Sequence, residues 1–182
     1  LFIDRWQRYL GGADLPIAFY YTDEVRQEDA SQSSAGDRCL ICNVANVLKG
    51  TSFVLDAQTP GCSGGKRYTG FAEGLRPDFE HFLSSGIPGR IEGERYKQSP
   101  ELVRAYLAQH PPFEAPGRSL VFRRWDKLTV GETPLAAIFF ATPDVLAGLY
   151  TLANYDVEDP YGVVAPMGSG CASIVAYPYA ES

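Results

Sequence analysis

The chain has 182 residues, 45% hydrophobic and 21% charged, which suits one soluble globular domain with room for a real core. Its formal net charge of -6 excludes a sequence-independent nucleic-acid binder, which needs a basic footprint. No run of about 18 apolar residues occurs, so no segment is expected to span a membrane. Four cysteines are too few for a disulfide scaffold. No signal peptide is visible, and a cytoplasmic location is the expectation. There a C-x-x-C reads as metal or redox chemistry before disulfide. The sole methionine is Met167, so the natural start is expected before Leu1.

In chain order, residues 1–10 carry Phe2, Ile3, Trp6, Tyr9 and Leu10 at helical spacing, and Gly11-Gly12 ends the run. Residues 17–21 follow Pro16 as a short β-like stretch. Residues 23–37 are polar and Ser-rich, and read as a loop. Residues 39–48 read as a helix stopped by Lys49-Gly50. Residues 51–57 read as a strand, and 58–70 as a turn-rich stretch holding Cys62. Residues 77–83 suggest a short helix, and 85–96 a Gly- and Arg-rich loop. Ser99-Pro100-Glu101 is a helix start: a capping serine, proline at the first turn, and an acid at the positive end. Leu102, Val103, Tyr106 and Leu107 are its expected buried stripe, and His110-Pro111-Pro112 ends it. Residues 119–125 and 135–141 read as strands. Thr142-Pro143-Asp144 opens another helix, with Val145, Leu146, Leu149, Leu152 and Ala153 expected to face the core. Residues 163–165 read as a short strand, and 174–179 as strand or helix. No repeat or linker appears. The class implied is α+β (mixed α/β): one compact domain over 1–182, with a mixed sheet flanked by helices.

The cysteines carry the chemistry. Cys39 and Cys42 form a C-x-x-C, Cys62 sits in Pro-Gly-Cys-Ser-Gly-Gly, and Cys171 in Gly-Ser-Gly-Cys-Ala. In a helical first turn Cys39 and Cys42 would share a face. The helix dipole and Arg38 would favour thiolate, the form that binds metal or attacks. Two thiols from a C-x-x-C and two from separate turns can hold a [4Fe–4S] cluster or, as the alternative, zinc. Glycines at 64, 65, 168 and 170 would give backbone N–H groups access to the sulfurs. The ferredoxin C-x-x-C-x-x-C run and the paired motifs of zinc ribbons are absent. Against the metal site stands simple packing, with each cysteine a small apolar residue. Thiol–disulfide exchange at Cys39–Cys42 is a further reading, but a polar loop precedes the motif where thioredoxins have a strand.

A nucleophilic Cys171 would need a base, and only His81 and His110 exist; both fit structural roles. Gly64-Gly65-Lys66 lacks Walker spacing, though Lys66 and Arg67 could meet an anion beside Cys62. Asp144, Glu101 and the acids at 156, 158 and 159 read as helix-start and surface charges.

Several segments occur in a telling order. They are Arg38-Cys39 with Ala45 and Gly50, Cys62-Ser63-Gly64-Gly65 with Gly70-Phe71, and Glu94-Arg95-Tyr96-Lys97-Gln98-Ser99-Pro100. Phe140-Ala141-Thr142-Pro143 and Gly168-Ser169-Gly170-Cys171 follow. From Arg38 to Cys171 the chain resembles the domain of unknown function 169 family, a group of prokaryotic proteins. The resemblance implies a cytoplasmic protein without a settled activity. It places Cys39, Cys62 and Cys171 in recurrent motifs and leaves Cys42 unmatched, so a three-thiolate site with an open position becomes the alternative to a four-thiolate one. It also implies that family sequence continues past Ser182.

The expectation is therefore a cluster- or metal-binding protein with an electron-transfer or redox-linked role. Cys39, Cys42, Cys62 and Cys171 would be ligands, and Arg38, Gly64, Gly65, Lys66, Gly168 and Gly170 second-sphere or anion-binding groups. The alternative is a metal-free small-molecule pocket shaped by the glycine and cysteine turns. Candidate partners are a redox protein, a small molecule and, as a homo-oligomer, a second copy of the chain.

Overall fold

The structure, a computed structural model, describes residues 1–30, 39–166 and 168–181. A four-stranded sheet organises it. Its strands are β1 (Ile17–Thr22), β2 (Phe53–Asp56), β3 (Ser119–Arg124) and β4 (Ala136–Ile138). Their order is β2-β3-β1-β4, and every pair is antiparallel. The α+β class holds, while the sheet is antiparallel throughout where a mixed one was expected. The helices are α1 (Phe2–Leu10), α2 (Gln27–Ala30), α3 (Leu40–Val47), α4 (Ser63–Tyr68) and α5 (Phe79–Phe82). α6 (Pro100–Gln109), α7 (Pro143–Ala153) and α8 (Tyr177–Ala180) follow. No helix among the described residues is long and apolar enough to cross a membrane.

Strand alternation sorts the side chains into two layers. Ile17, Phe19, Leu55, Leu120 and Phe122 point into the main core, where they meet Leu40, Val44 and Val47 of α3, Val103 of α6, and Ala172 and Val175 of a π-helical turn before α8. Phe19 pairs with Phe122 across the ladder, with ring centroids 5.6 Å apart. Tyr20, Val54 and Val121 point to the opposite face. Arg123 is buried there too, and its guanidinium reaches Asp29 Oδ2 at 2.6 Å and Glu132 Oε1 at 3.3 Å. Arg26 adds a second cation to Glu132 at 2.5 Å, and the Tyr20 hydroxyl donates to the same carboxylate. These charges tie α2 and the 129–132 loop onto a sheet face that has few apolar groups to bury.

Several expectations change. The loop read over 23–37 contains α2 at its described end; the remainder lies outside the described residues. The turn-rich 58–70 stretch contains α4. Residues 163–165 stay irregular, and 174–179 is helical. The start signals of α6 and α7 are correct: Ser99 Oγ accepts the Leu102 N–H at 3.4 Å, and proline stands in each first turn. The buried faces are less so. Leu102 is half exposed, and in α7 only Val145 is buried, with Leu146 and Leu152 60% and 67% exposed and Ala153 exposed too. Capping fixes where a helix begins. Which side it buries depends on its neighbours, and α7 follows β4, a strand at the sheet's edge.

Replacing Asp29 by Asn leaves the buried Arg123 guanidinium without its closest anion. The expected loss of unfolding free energy, read by urea titration, is about 3 kcal/mol, the range for a broken buried pair. The pH dependence follows Glu132. Burial opposes its charge, but the Tyr20 hydroxyl, the Thr129 N–H and the two guanidinia outweigh this and hold it below the ordinary glutamate value. Its contribution is full above that ordinary value and is lost as pH falls through the lowered one. Glu132→Gln should therefore flatten the acid side of the stability profile.

Candidate functional site

Cys62 caps α4. Its backbone is extended (φ -74°, ψ 153°), and its Sγ accepts the Gly65 N–H at 3.2 Å. Such a cap needs a side-chain acceptor, which cysteine supplies weakly as a thiol and strongly as a thiolate. A Cβ built on Gly65 would lie 3.2 Å from this sulfur, so glycine is what lets the first turn close under Cys62. Ser63 Oγ accepts the Arg76 N–H at 3.1 Å and ties the cap to the segment entering α5.

Cys171 arrives by a different constraint. Tyr106 of α6 and Tyr177 of α8 join their hydroxyls at 2.6 Å. Gly168 lies so close that a Cβ there would stand 2.5 Å and 2.6 Å from those oxygens. A side chain there would have to push the hydroxyl pair apart, and three residues later Cys171 is buried against the core. Cys39 comes third. It is the extended residue before α3 (φ -84°, ψ 122°), and its carbonyl accepts both the backbone and the side-chain N–H of Asn43.

These three segments meet at one cleft of about 400 Å³. Cys39, Cys62 and Cys171 line it with Gly64, Gly65 and Gly170. Ile41, Phe79, Phe82 and Leu83 make its walls apolar, and Arg76, Glu94 and Tyr96 complete it. Cys42 is exposed and is not part of this lining. Cys39 stands at the N-cap of α3 with extended backbone angles, and Cys42 follows three residues on in the first turn. Among the described residues, no group of three or more His, Cys, Asp or Glu side chains is placed to hold one metal ion.

The remaining candidates are distributed. Arg38 lies outside the described residues. Lys66 donates to the Ala57 carbonyl, and Arg67 to the carbonyls of Glu73 and His110, so both stitch loops together. Gly168 packs under the two tyrosines. His81 and His110 do not line the cleft, and a Cys-His pair finds no base there. Sequence reasoning missed Arg76, Phe79, Phe82 and Glu94 as site residues. The Glu94–Pro100 motif was visible, but nothing in it says that the loop folds back onto α5.

The thiols differ in acidity. The Cys171 thiol, donating toward Cys62, is the main cause that brings Cys62 down to about 6; burial opposes it, and the N–H groups of Gly65, Cys62 and Gly64 assist. Cys171 moves up, through the same hydrogen bond, its burial, and the charges of Cys62 and Cys39. The pair is a thiolate at Cys62 and a neutral donor at Cys171 near neutral pH. Alkylation of Cys62 by iodoacetamide, followed by peptide mass in metal-free protein, should show a midpoint near 6. In Cys171→Ala the midpoint should rise toward the ordinary value of about 8.5. An unchanged midpoint would mean that the N–H groups alone hold the charge.

No curated protein and no solved structure matches this sequence. One family model does, over residues 7–182: DUF169, described as uncharacterised ArCR. That span takes in all three segments of the cleft, and the chain belongs to the domain of unknown function 169 family.

Proposed function

We propose that the chain binds a small molecule in the cleft between the Cys62 cap and the Cys171 turn, with the Cys62 thiolate and the Cys171 thiol facing the ligand. The observation that carries this reading is the convergence of two distant glycine–cysteine segments on one apolar cleft. Its volume is within the range of ordinary ligand sites, and its walls combine aromatic surface with few polar groups, as such sites do. The Ser169 hydroxyl supports it. The residue lines the cleft, and its buried Oγ lies beside the Tyr68 hydroxyl without completing a well-formed hydrogen bond to it. An unmet buried hydroxyl costs about 1–3 kcal/mol, which a ligand's polar atom would relieve.

A second reading keeps the thiolates as ligands. It rests on Cys39 lining the same cleft as Cys62 and Cys171; the three sulfurs are not placed to hold one ion as they stand, so the set would have to close around an iron of a cluster or around zinc, with one position left open. Cys42 has no part in it. Protein purified without air separates the two: iron with visible absorption that dithionite bleaches would favour the cluster, with a redox protein as its partner.

The pocket reading is tested on metal-free protein with Nile red, a neutral apolar dye. The dye should gain fluorescence and slow the alkylation of Cys62. Ile41→Trp, which fills the cleft from α3, should remove both effects. Dye binding that survives this substitution, or that leaves Cys62 equally reactive, would overturn the reading.

A further inference from the structure

Two opposite charges share the lining of the cleft, and neither has an ion-pair partner among the described residues. Arg76 is one. Its neighbours' acids are already engaged: Asp78 pairs with Arg90 at 2.6 Å, and Glu80 with Arg104 at 3.3 Å. Glu94 is the other, and no Lys or Arg among the described residues bridges to it. Both are anchored on one residue. The Arg76 guanidinium lies over the Phe82 ring at 4.1 Å, and the Glu94 N–H donates to the Phe82 carbonyl at 2.7 Å. Stacking on an aromatic face restrains a guanidinium while leaving its N–H edge free for a carboxylate. Glu94 follows Gly93, whose Cα packs so tightly that a Cβ would meet the Ser84 carbonyl at 2.2 Å, so the backbone at this rim is fixed.

Resting on the pocket reading above, we propose that the cleft's ligand is zwitterionic with an apolar body: an α-amino acid with a bulky hydrophobic side chain. Arg76 takes the carboxylate, Glu94 takes the ammonium, and Phe79, Phe82, Leu83 and Ile41 receive the side chain. Charge balance favours this class over simpler ones. Among the described residues the lining holds one cation, Arg76, and one carboxylate, Glu94. A phosphate or dicarboxylate would meet repulsion from Glu94, and a plain amine would leave Arg76 unmatched. A zwitterion adds no net charge and pairs both rim groups through charge-assisted hydrogen bonds.

The test displaces Nile red from metal-free protein with three probes that share a phenyl body: L-phenylalanine, 3-phenylpropanoate and 2-phenylethylamine. L-Phenylalanine should bind at least about ten-fold more tightly than either singly charged probe, the scale expected when one charge-assisted contact is lost. Arg76→Gln should weaken L-phenylalanine and 3-phenylpropanoate and spare 2-phenylethylamine. Glu94→Gln should weaken L-phenylalanine and 2-phenylethylamine and spare 3-phenylpropanoate. Both positions are exposed, so these variants should fold. Equal affinity for the three probes, failure of all three to displace bound dye, or variants without effect would overturn the zwitterion while leaving the pocket in place. Failure of the dye to bind would remove the pocket reading as well.

Discussion

Phe19 and Phe122 face each other in the middle of the sheet, fully buried, on the two strands that have neighbours on both sides. Much of the main core is arranged around this contact. It fixes the register of β1 against β3, and a slip of β1 by one residue would turn Ile17 and Phe19 away from the core and bring Ala18 and Tyr20 in. With the register set, one face offers a continuous apolar floor for α3 and the helical segment after Cys171. The other holds Arg123 and must answer it with Asp29 and Glu132. Removing the Phe122 side chain would strip the floor from under α3, at a loss in the range of about 3–5 kcal/mol for a buried aromatic.

The cleft is built on that floor but not from it. Its thiols stand where chain segments enter helices: Cys39 before α3, Cys62 before α4, Cys171 before the π-helical turn. Side chains at such positions are held by backbone geometry and still open to a ligand. The structure joins a rigid packed face to a mouth whose chemistry is sulfur, aromatic surface and two charges.

Local signals in the sequence read well. Ser99, Pro100 and Pro143 marked helix starts at the residue, and Pro16 and the apolar run after it marked β1, because these signals act through the backbone within one turn. Signals that depend on distant neighbours read badly. Leu146 and Leu152 read as core and are exposed, since α7 leads away from the edge strand β4 and packs closely against no other described element. α4 was hidden because Ser63-Gly64-Gly65 has the composition of a turn, and only the Cys62 cap and the packing of Tyr68 make it helical. For the site, the glycine context of Cys62 and Cys171 pointed to the right two segments. Arg76 and Glu94 left no trace in spacing, since 18 residues and a folded-back loop separate them.

The hydroxyl pair between Tyr106 and Tyr177 ties one side of the cleft to residues that do not line it. Tyr177 belongs to the last helix, which is also pinned through Tyr179 stacked on Phe113 with centroids 4.4 Å apart and edge-on to Tyr21. The clamp that presses Gly168 into place, and with it Cys171, thus hangs on residues near the end of the described chain. Loss of either tyrosine hydroxyl would loosen the Gly168 segment, and with it the Cys171 side of the cleft, from a point that does not itself line the cleft.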